Sequence, residues 1–143
     1  MSQDLADAPR VVRAERFDEQ GAVVIVDGDL DLETAPQLES TISEQIASGH
    51  RHLVVDLAAA TFFDSTAIRA LLVSAGQLRD EPTAAVVLAG AQGITLRSLS
   101  VSGIDQMFTL YDDRETAIDS IHGSAAPLRD GWRRLNRRPD QPR

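Results

Sequence analysis

The spacing of apolar residues changes period several times along the chain, and each change predicts an element. Val11-Val12-Arg13-Ala14-Glu15-Arg16-Phe17 and Ala22-Val23-Val24-Ile25-Val26 flank Asp18-Glu19-Gln20-Gly21, a four-residue turn with Gly at its end. That combination predicts an opening β-hairpin. Gly28-Asp29-Leu30-Asp31 then reads as a turn leading into a helix. In that helix Thr34 is placed to cap, and Pro36 lies in the first turn, where its missing N–H does no harm. Leu38, Ile42 and Ile46 recur every four residues as the buried stripe, and Gly49 stops the helix. His52-Leu53-Val54-Val55-Asp56-Leu57 is a short run rich in β-branched residues and predicts a buried strand. Ile68, Leu71, Leu72 and Ala75 fall at i, i+3, i+4 and i+7, one stripe of a helix over about residues 65–79.

Glu81-Pro82 breaks the chain before Ala84-Ala85-Val86-Val87-Leu88-Ala89, a second continuously apolar strand. Strands apolar on both faces belong in the middle of a sheet covered by helices. A helical segment from Ile94 to Ser100 follows, with Ile94 and Leu99 as core contacts and Gly103 as its end. Met107-Phe108-Thr109-Leu110-Tyr111 reads as a last strand, and Arg114 to Ile121 as a last helix that buries Ala117, Ile118 and Ile121. The sum is an α/β layer fold. An opening hairpin is followed by alternating helices and strands, giving a central mixed sheet of about five strands with about four helices. The domain spans residues 10–123. Residues 1–9 read as a flexible leader and residues 124–143 as an Arg/Pro-rich tail without fixed structure. If part of the tail were helical, Leu128, Trp132 and Leu135 would share one face.

Between the strand at 52–57 and its following helix lies Thr61-Phe62-Phe63-Asp64-Ser65-Thr66-Ala67-Ile68-Arg69. Asp64 and Ser65 stand at the helix start, where a short polar side chain can accept a hydrogen bond from the first unpaired backbone N–H groups. Ala67 and Ile68 occupy the places where a reciprocal capping box needs Glu or Gln. Local chemistry leaves two readings open: a plain N-cap, or a hydroxyl that serves as a switch.

Composition narrows the possible chemistry. Without cysteine the 143-residue chain has no disulfide, thiolate metal site or cysteine nucleophile. All 14 basic residues are arginine, so the phosphate-binding lysine of a P-loop is missing beside Gly90-Ala91-Gln92-Gly93. Residues 1–123 hold eight Arg against twenty Asp and Glu, while residues 124–143 hold six Arg against Asp130 and Asp140. A body this acidic repels a phosphate backbone, which argues against nucleic-acid binding. No apolar run approaches the length of a membrane span, and the acidic start Met1-Ser2-Gln3-Asp4-Leu5-Ala6-Asp7 is unlike a secretory signal. A soluble, cytoplasmic protein is the expectation.

Catalytic constellations are missing. His50 and His52 have no third ligand at metal-site spacing and read as a solvated loop pair. His122 lies near a helix end, where an imidazolium suits the helix dipole. Asp27, Asp29 and Asp31 alternate as in a calcium loop but lack its terminal Glu. No serine sits in a Gly-x-Ser-x-Gly elbow. No cofactor or metal is expected.

Three segments resemble the STAS domains of bacterial anti-sigma factor antagonists. Gly28-Asp29-Leu30-Asp31 with Thr34-Ala35-Pro36 is similar to the family's Gly-Glu-Leu-Asp turn and first helix. Phe62-Phe63-Asp64-Ser65-Thr66-Ala67-Ile68 resembles its Phe-x-Asp-Ser-Ser/Thr-Gly-Leu/Ile signature, and Leu99-Ser100-Val101-Ser102-Gly103-Ile104-Asp105-Gln106-Met107-Phe108 its late helix, glycine and apolar strand. The resemblance covers roughly residues 10–122.

What it implies is a non-enzymatic partner switch. The serine after the Asp, here Ser65, would be phosphorylated by an anti-sigma factor with a histidine-kinase-like ATPase fold, with Thr66 the lesser acceptor. The unmodified form would bind that factor and release sigma, and a serine phosphatase would reset the modified form. ATP and magnesium would belong to the partner. The docking surface would comprise Asp29, Leu30, Asp31, Asp64, Ser65, Thr66 and Arg69. One departure is Ala67 in place of the family's glycine, a methyl group where glycine would let another chain come close. The alternative from the same fold is a constitutive scaffold or small-ligand module in a stress-signalling or transporter assembly, in which Ser65 only caps its helix.

Overall fold

The computed structural model describes residues 10–123; the leader and the tail with its Leu128, Trp132 and Leu135 lie outside the described residues. Its elements are β1 (Val12–Arg16), β2 (Gly21–Leu30), α1 (Ala35–Ala47), β3 (His52–Phe63), α2 (Ser65–Ala75), β4 (Ala85–Ala89), α3 (Gly93–Ser102), β5 (Leu110–Tyr111) and α4 (Arg114–Gly123). Short 3-10 turns, Gly76–Leu78 and Ile104–Gln106, follow α2 and α3. The five strands form one sheet in the order β1-β2-β3-β4-β5. The first pair is antiparallel and the rest are parallel. This is the mixed sheet with four helices that the periodicity predicts.

Alternation along the strands divides the core between the two faces of the sheet. Val24, Val26, Leu53, Val55, Leu57, Val86 and Leu88 pack with Leu38 and Ile42 of α1, Leu71 and Ala75 of α2 and Leu99 of α3. Their neighbours Val23, Ile25, Val54, Val87 and Ala89 point the other way, onto Ala117, Ile118 and Ile121 of α4. Because a helix covers each face of the central strands, those strands can be apolar throughout. Two polar links fasten α4 down. Arg114 Nε lies 2.8 Å from Asp56 Oδ2 in β3, and His122 Nε2 lies 2.7 Å from Asp18 Oδ2 in the hairpin turn. Burial pushes the Asp18 carboxyl up, but hydrogen bonds from His122 and the Gln20 amide outweigh it and hold the carboxyl below the ordinary carboxylate range.

Several boundaries differ from the sequence expectation. Gly28-Asp29-Leu30 is strand rather than turn: β2 runs ten residues alongside β3, with register slips between Ile25 and Asp27 and between Gly28 and Asp29. Gly28 makes the slips possible, since its φ of 125° is one that side chains disfavour and a Cβ there would lie 3.2 Å from Val11 Cγ1. β3 likewise continues past Leu57 to Phe63. Thr34 stands at the α1 cap position but makes no forward cap bond. Ile94 is 59% exposed, and Thr95 takes the inward place beside Leu99. The final strand is only Leu110-Tyr111, because the chain from Ile104 makes a 3-10 turn that buries Ile104 and Phe108 first. Gly103 does end α3, in the left-handed conformation.

Candidate functional site

Pairing of β2 with β3 sets Asp29 beside Phe62 and Leu30 beside Phe63, so both strands finish together at their C-terminal ends. The residues that follow, Asp31 to Thr34 and Asp64 to Thr66, are brought together there. Asp64 is extended (φ −96°, ψ −171°), and its Oδ1 accepts a hydrogen bond of 3.1 Å from the Ala67 amide. It is the N-cap of α2. Ser65 is the first helical residue; it is exposed, and its hydroxyl has no hydrogen-bond partner among the described residues. The capping task therefore falls to Asp64, and the Ser65 hydroxyl is left open to solvent. Thr66 is half-buried and Arg69, one turn along α2, is exposed.

Asp29 and Asp31 are held by short polar contacts. Asp29 Oδ1 accepts from Thr61 Oγ1 at 2.6 Å. Asp31 Oδ1 accepts from the amides of Glu33 (3.0 Å) and Thr34 (3.1 Å). The Thr34 hydroxyl lies 2.8 Å from the Asp29 carbonyl and 3.0 Å from Asp31 Oδ1, with one proton for both. Hydrogen bonds from the Thr34 hydroxyl and amide hold the Asp31 carboxyl below its ordinary value.

Two expectations about this surface need correction. Leu30 is fully buried in the main core and has no surface to offer a partner. It sits at an inward position of a strand, whereas the exposed apolar residue is Leu32, two places on and 77% exposed. The Ala67 methyl is also fully buried and packs within the core. It points away from any chain approaching Ser65, so the departure from glycine puts nothing in a partner's way.

Sequence reasoning missed a groove between α2 and α3. Phe63, Asp64, Ser65, Ile68, Ile94, Arg97, Ser98, Val101 and Ser102 line a space of about 410 Å³ that opens beside the Ser65 hydroxyl. A signal for it existed: Ile94, Arg97, Ser98 and Val101 fall at i, i+3, i+4 and i+7, a second stripe next to the buried Thr95 and Leu99. The stripe is exposed, with Val101 at 81%.

The histidines are not a solvated loop pair. His50 is buried with Nδ1 2.8 Å from Gln45 Oε1, and His52 Nε2 lies 3.2 Å from the Thr83 carbonyl. Asp27 lies 3.9 Å from Arg13 Nη1. Among the described residues no three His, Cys, Asp or Glu side chains are grouped to hold a metal. No described helix is long and apolar enough to cross a membrane.

Comparison with known proteins gives one consistent answer. A family model described as the STAS domain matches residues 9–117. The chain is 30% identical over 117 residues to "Anti-sigma-F factor antagonist RsfB" of Mycobacterium tuberculosis, covering 81% of this chain and 94% of that protein. A crystal structure of an anti-sigma factor antagonist from Mycobacterium paratuberculosis superposes with a TM-score of 0.67 at 30% identity, over 78% of this chain and 92% of that one. The Bacillus protein SpoIIAA in its phosphorylated form matches with a TM-score of 0.62 at 18% identity, over 77% of this chain and 98% of that one, a likeness of fold. By this family match, the chain belongs to the STAS domain family.

Proposed function

We propose that the protein is an anti-sigma factor antagonist. In its unmodified form it binds an anti-sigma factor of the serine-kinase type and frees a sigma factor, and phosphorylation of Ser65 ends the binding. The observation that carries this reading is the division of labour at the head of α2. Asp64 satisfies the Ala67 amide, and Ser65 beside it is exposed with an uncommitted hydroxyl. The docking surface comprises Asp29, Asp31, Asp64, Ser65, Thr66 and Arg69, with Leu32 in place of the buried Leu30. The names of the mycobacterial relatives agree with this role.

The protein performs no catalysis in this scheme. The partner, with its histidine-kinase-like fold, supplies ATP and magnesium, and a serine phosphatase returns Ser65 to the free hydroxyl, all in the cytoplasm. Phosphate adds about −1.5 to −2 charges at a surface that docking would desolvate. A cost on the order of 3 kcal/mol lowers affinity about a hundredfold.

The deciding experiment recovers the tagged protein from its own cells and reads by mass spectrometry the occupancy of Ser65 and the companions of wild type, Ser65→Ala and Ser65→Asp. Phosphate at Ser65, with a kinase-like partner kept by the Ala variant and lost by the Asp variant, is the expected result. Unmodified Ser65 with the same companions in all three would overturn the switch and leave a constitutive binding module.

A further inference from the structure

Within residues 10–123 most arginines are engaged. Arg13, Arg51 and Arg114 meet carboxylates, and Arg16 and Arg79 meet backbone carbonyls. Arg10, Arg69 and Arg97 have no partner among the described residues, although carboxylates outnumber arginines more than twofold in this part of the chain. Two of these three flank Ser65. Arg69 follows it by four residues on α2, and Arg97 shares the groove with it from α3.

The geometry points to a clasp, and we propose that Arg69 and Arg97 together hold the phosphate of phosphorylated Ser65 within the same chain; the inference rests on Ser65 being the phosphate acceptor. Helical side chains lean toward the N-terminus, so Arg69 reaches back over the turn that carries Ser65, with Cβ atoms about 5–6 Å apart for such a pair. An anion placed four residues before a cation is also the favourable order on a helix. Arg97 arrives from the opposite wall of the groove. A guanidinium is charged at every working pH and offers paired donors that match phosphate oxygens. Phe63, Ile68, Ile94 and Val101 bound the groove with apolar surface, which strengthens charge pairing beside it. The negative groups at this edge are Asp64, Asp29 and Asp31, each already accepting hydrogen bonds from Ala67, Thr61, or Glu33 and Thr34.

The clasp gives the modification a second effect. A phosphate so held neutralises Arg69 of the docking surface and Arg97 of the adjoining groove, and lies across the mouth of that groove. A partner then loses positive charge and apolar floor together, with no change of backbone.

The test uses the full chain with phosphoserine genetically encoded at position 65, so no kinase is needed. The phosphate is titrated by phosphorus NMR in the phosphorylated parent, in Arg69→Gln, in Arg97→Gln and in the double variant. Free phosphoserine loses its second proton near about pH 6. Each substitution is expected to raise the titration midpoint by about 0.3–0.7, and both together by about twice that, as expected for loss of one or two exposed charge pairs. The carboxylates are common to all four proteins and cancel in the comparison. Thermal melts of the unphosphorylated proteins are expected to coincide, since both arginines are exposed. Coincident midpoints in parent and double variant would overturn the clasp. Failure of the underlying reading would appear elsewhere, as absence of phosphate on Ser65 in cells, and would leave these titrations unaltered.

Discussion

At the residue scale, Asp64 and Ser65 show how two adjacent small polar residues divide the head of a helix. Both can cap, and composition alone does not choose between them. The backbone does: the residue that keeps extended dihedrals turns its oxygen onto the third amide, and its successor is already helical. Asp64→Ala removes that acceptor and is expected to cost about 1 kcal/mol in urea denaturation, while Asp64→Asn or Asp64→Ser retains most of it. Ser65→Ala is expected to be neutral in the same assay, which separates the stability role from the regulatory one. Asp31 supplies a prediction in pH. Its folded carboxyl is held below the unfolded value by the Thr34 hydroxyl and amide. Its contribution is therefore fully present above the unfolded value of about 4 and fades as pH falls through the lower folded value. The gap in urea midpoint between wild type and Asp31→Ala is expected to be constant from neutrality down to about pH 4 and to narrow as pH falls from there through the folded value.

At the element scale, α3 carries two stripes that a single periodicity cannot rank. Leu99 is fully buried and Val101 is 81% exposed, two positions apart on one helix. Leu99→Ala is expected to destabilise by about 2–5 kcal/mol and Val101→Ala by less than about 0.5 kcal/mol, as read from denaturation midpoints. The sequence told the existence and order of every element, because strand runs such as Ala84–Ala89 and stripes such as Leu38-Ile42 are local patterns. It did not tell where β2 and β3 end, since Asp27 to Leu30 and Ala58 to Phe63 are strand only by virtue of pairing with each other. That pairing puts Leu30 in the core rather than on the surface, and the turn after Gly103 packs Met107-Phe108 onto the core instead of into a strand. The signature around Ser65 was legible because it is contiguous. The groove was not, because Ser65 and Arg97 line one space only when α2 and α3 lie side by side.

At the scale of the whole molecule, the sheet separates a face bearing α1, α2 and α3 from a face bearing α4 alone, and the thinner side relies on ionic fastening. Asp56 is buried in β3. Its Oδ2 meets Arg114 at 2.8 Å, and its Oδ1 accepts a 3.0 Å hydrogen bond from the Ala58 amide. Arg114 also reaches exposed Glu15 of β1 at 3.3 Å, so one guanidinium joins α4 to two strands. Arg114→Met leaves a buried carboxylate without its cation and is expected to cost on the order of 3 kcal/mol. Replacing both partners, Asp56→Leu with Arg114→Met, removes the stranded charge and is expected to recover much of that loss. Recovery stops short of complete, because the Ala58 amide then has no acceptor. A double-mutant cycle in urea measures the difference as a coupling energy. Additive effects would show that α4 is held by Ala117, Ile118 and Ile121 alone. Strong coupling would show that the pair fixes α4 over the first half of β3, on the face of the sheet opposite the helices that bound the Ser65 groove.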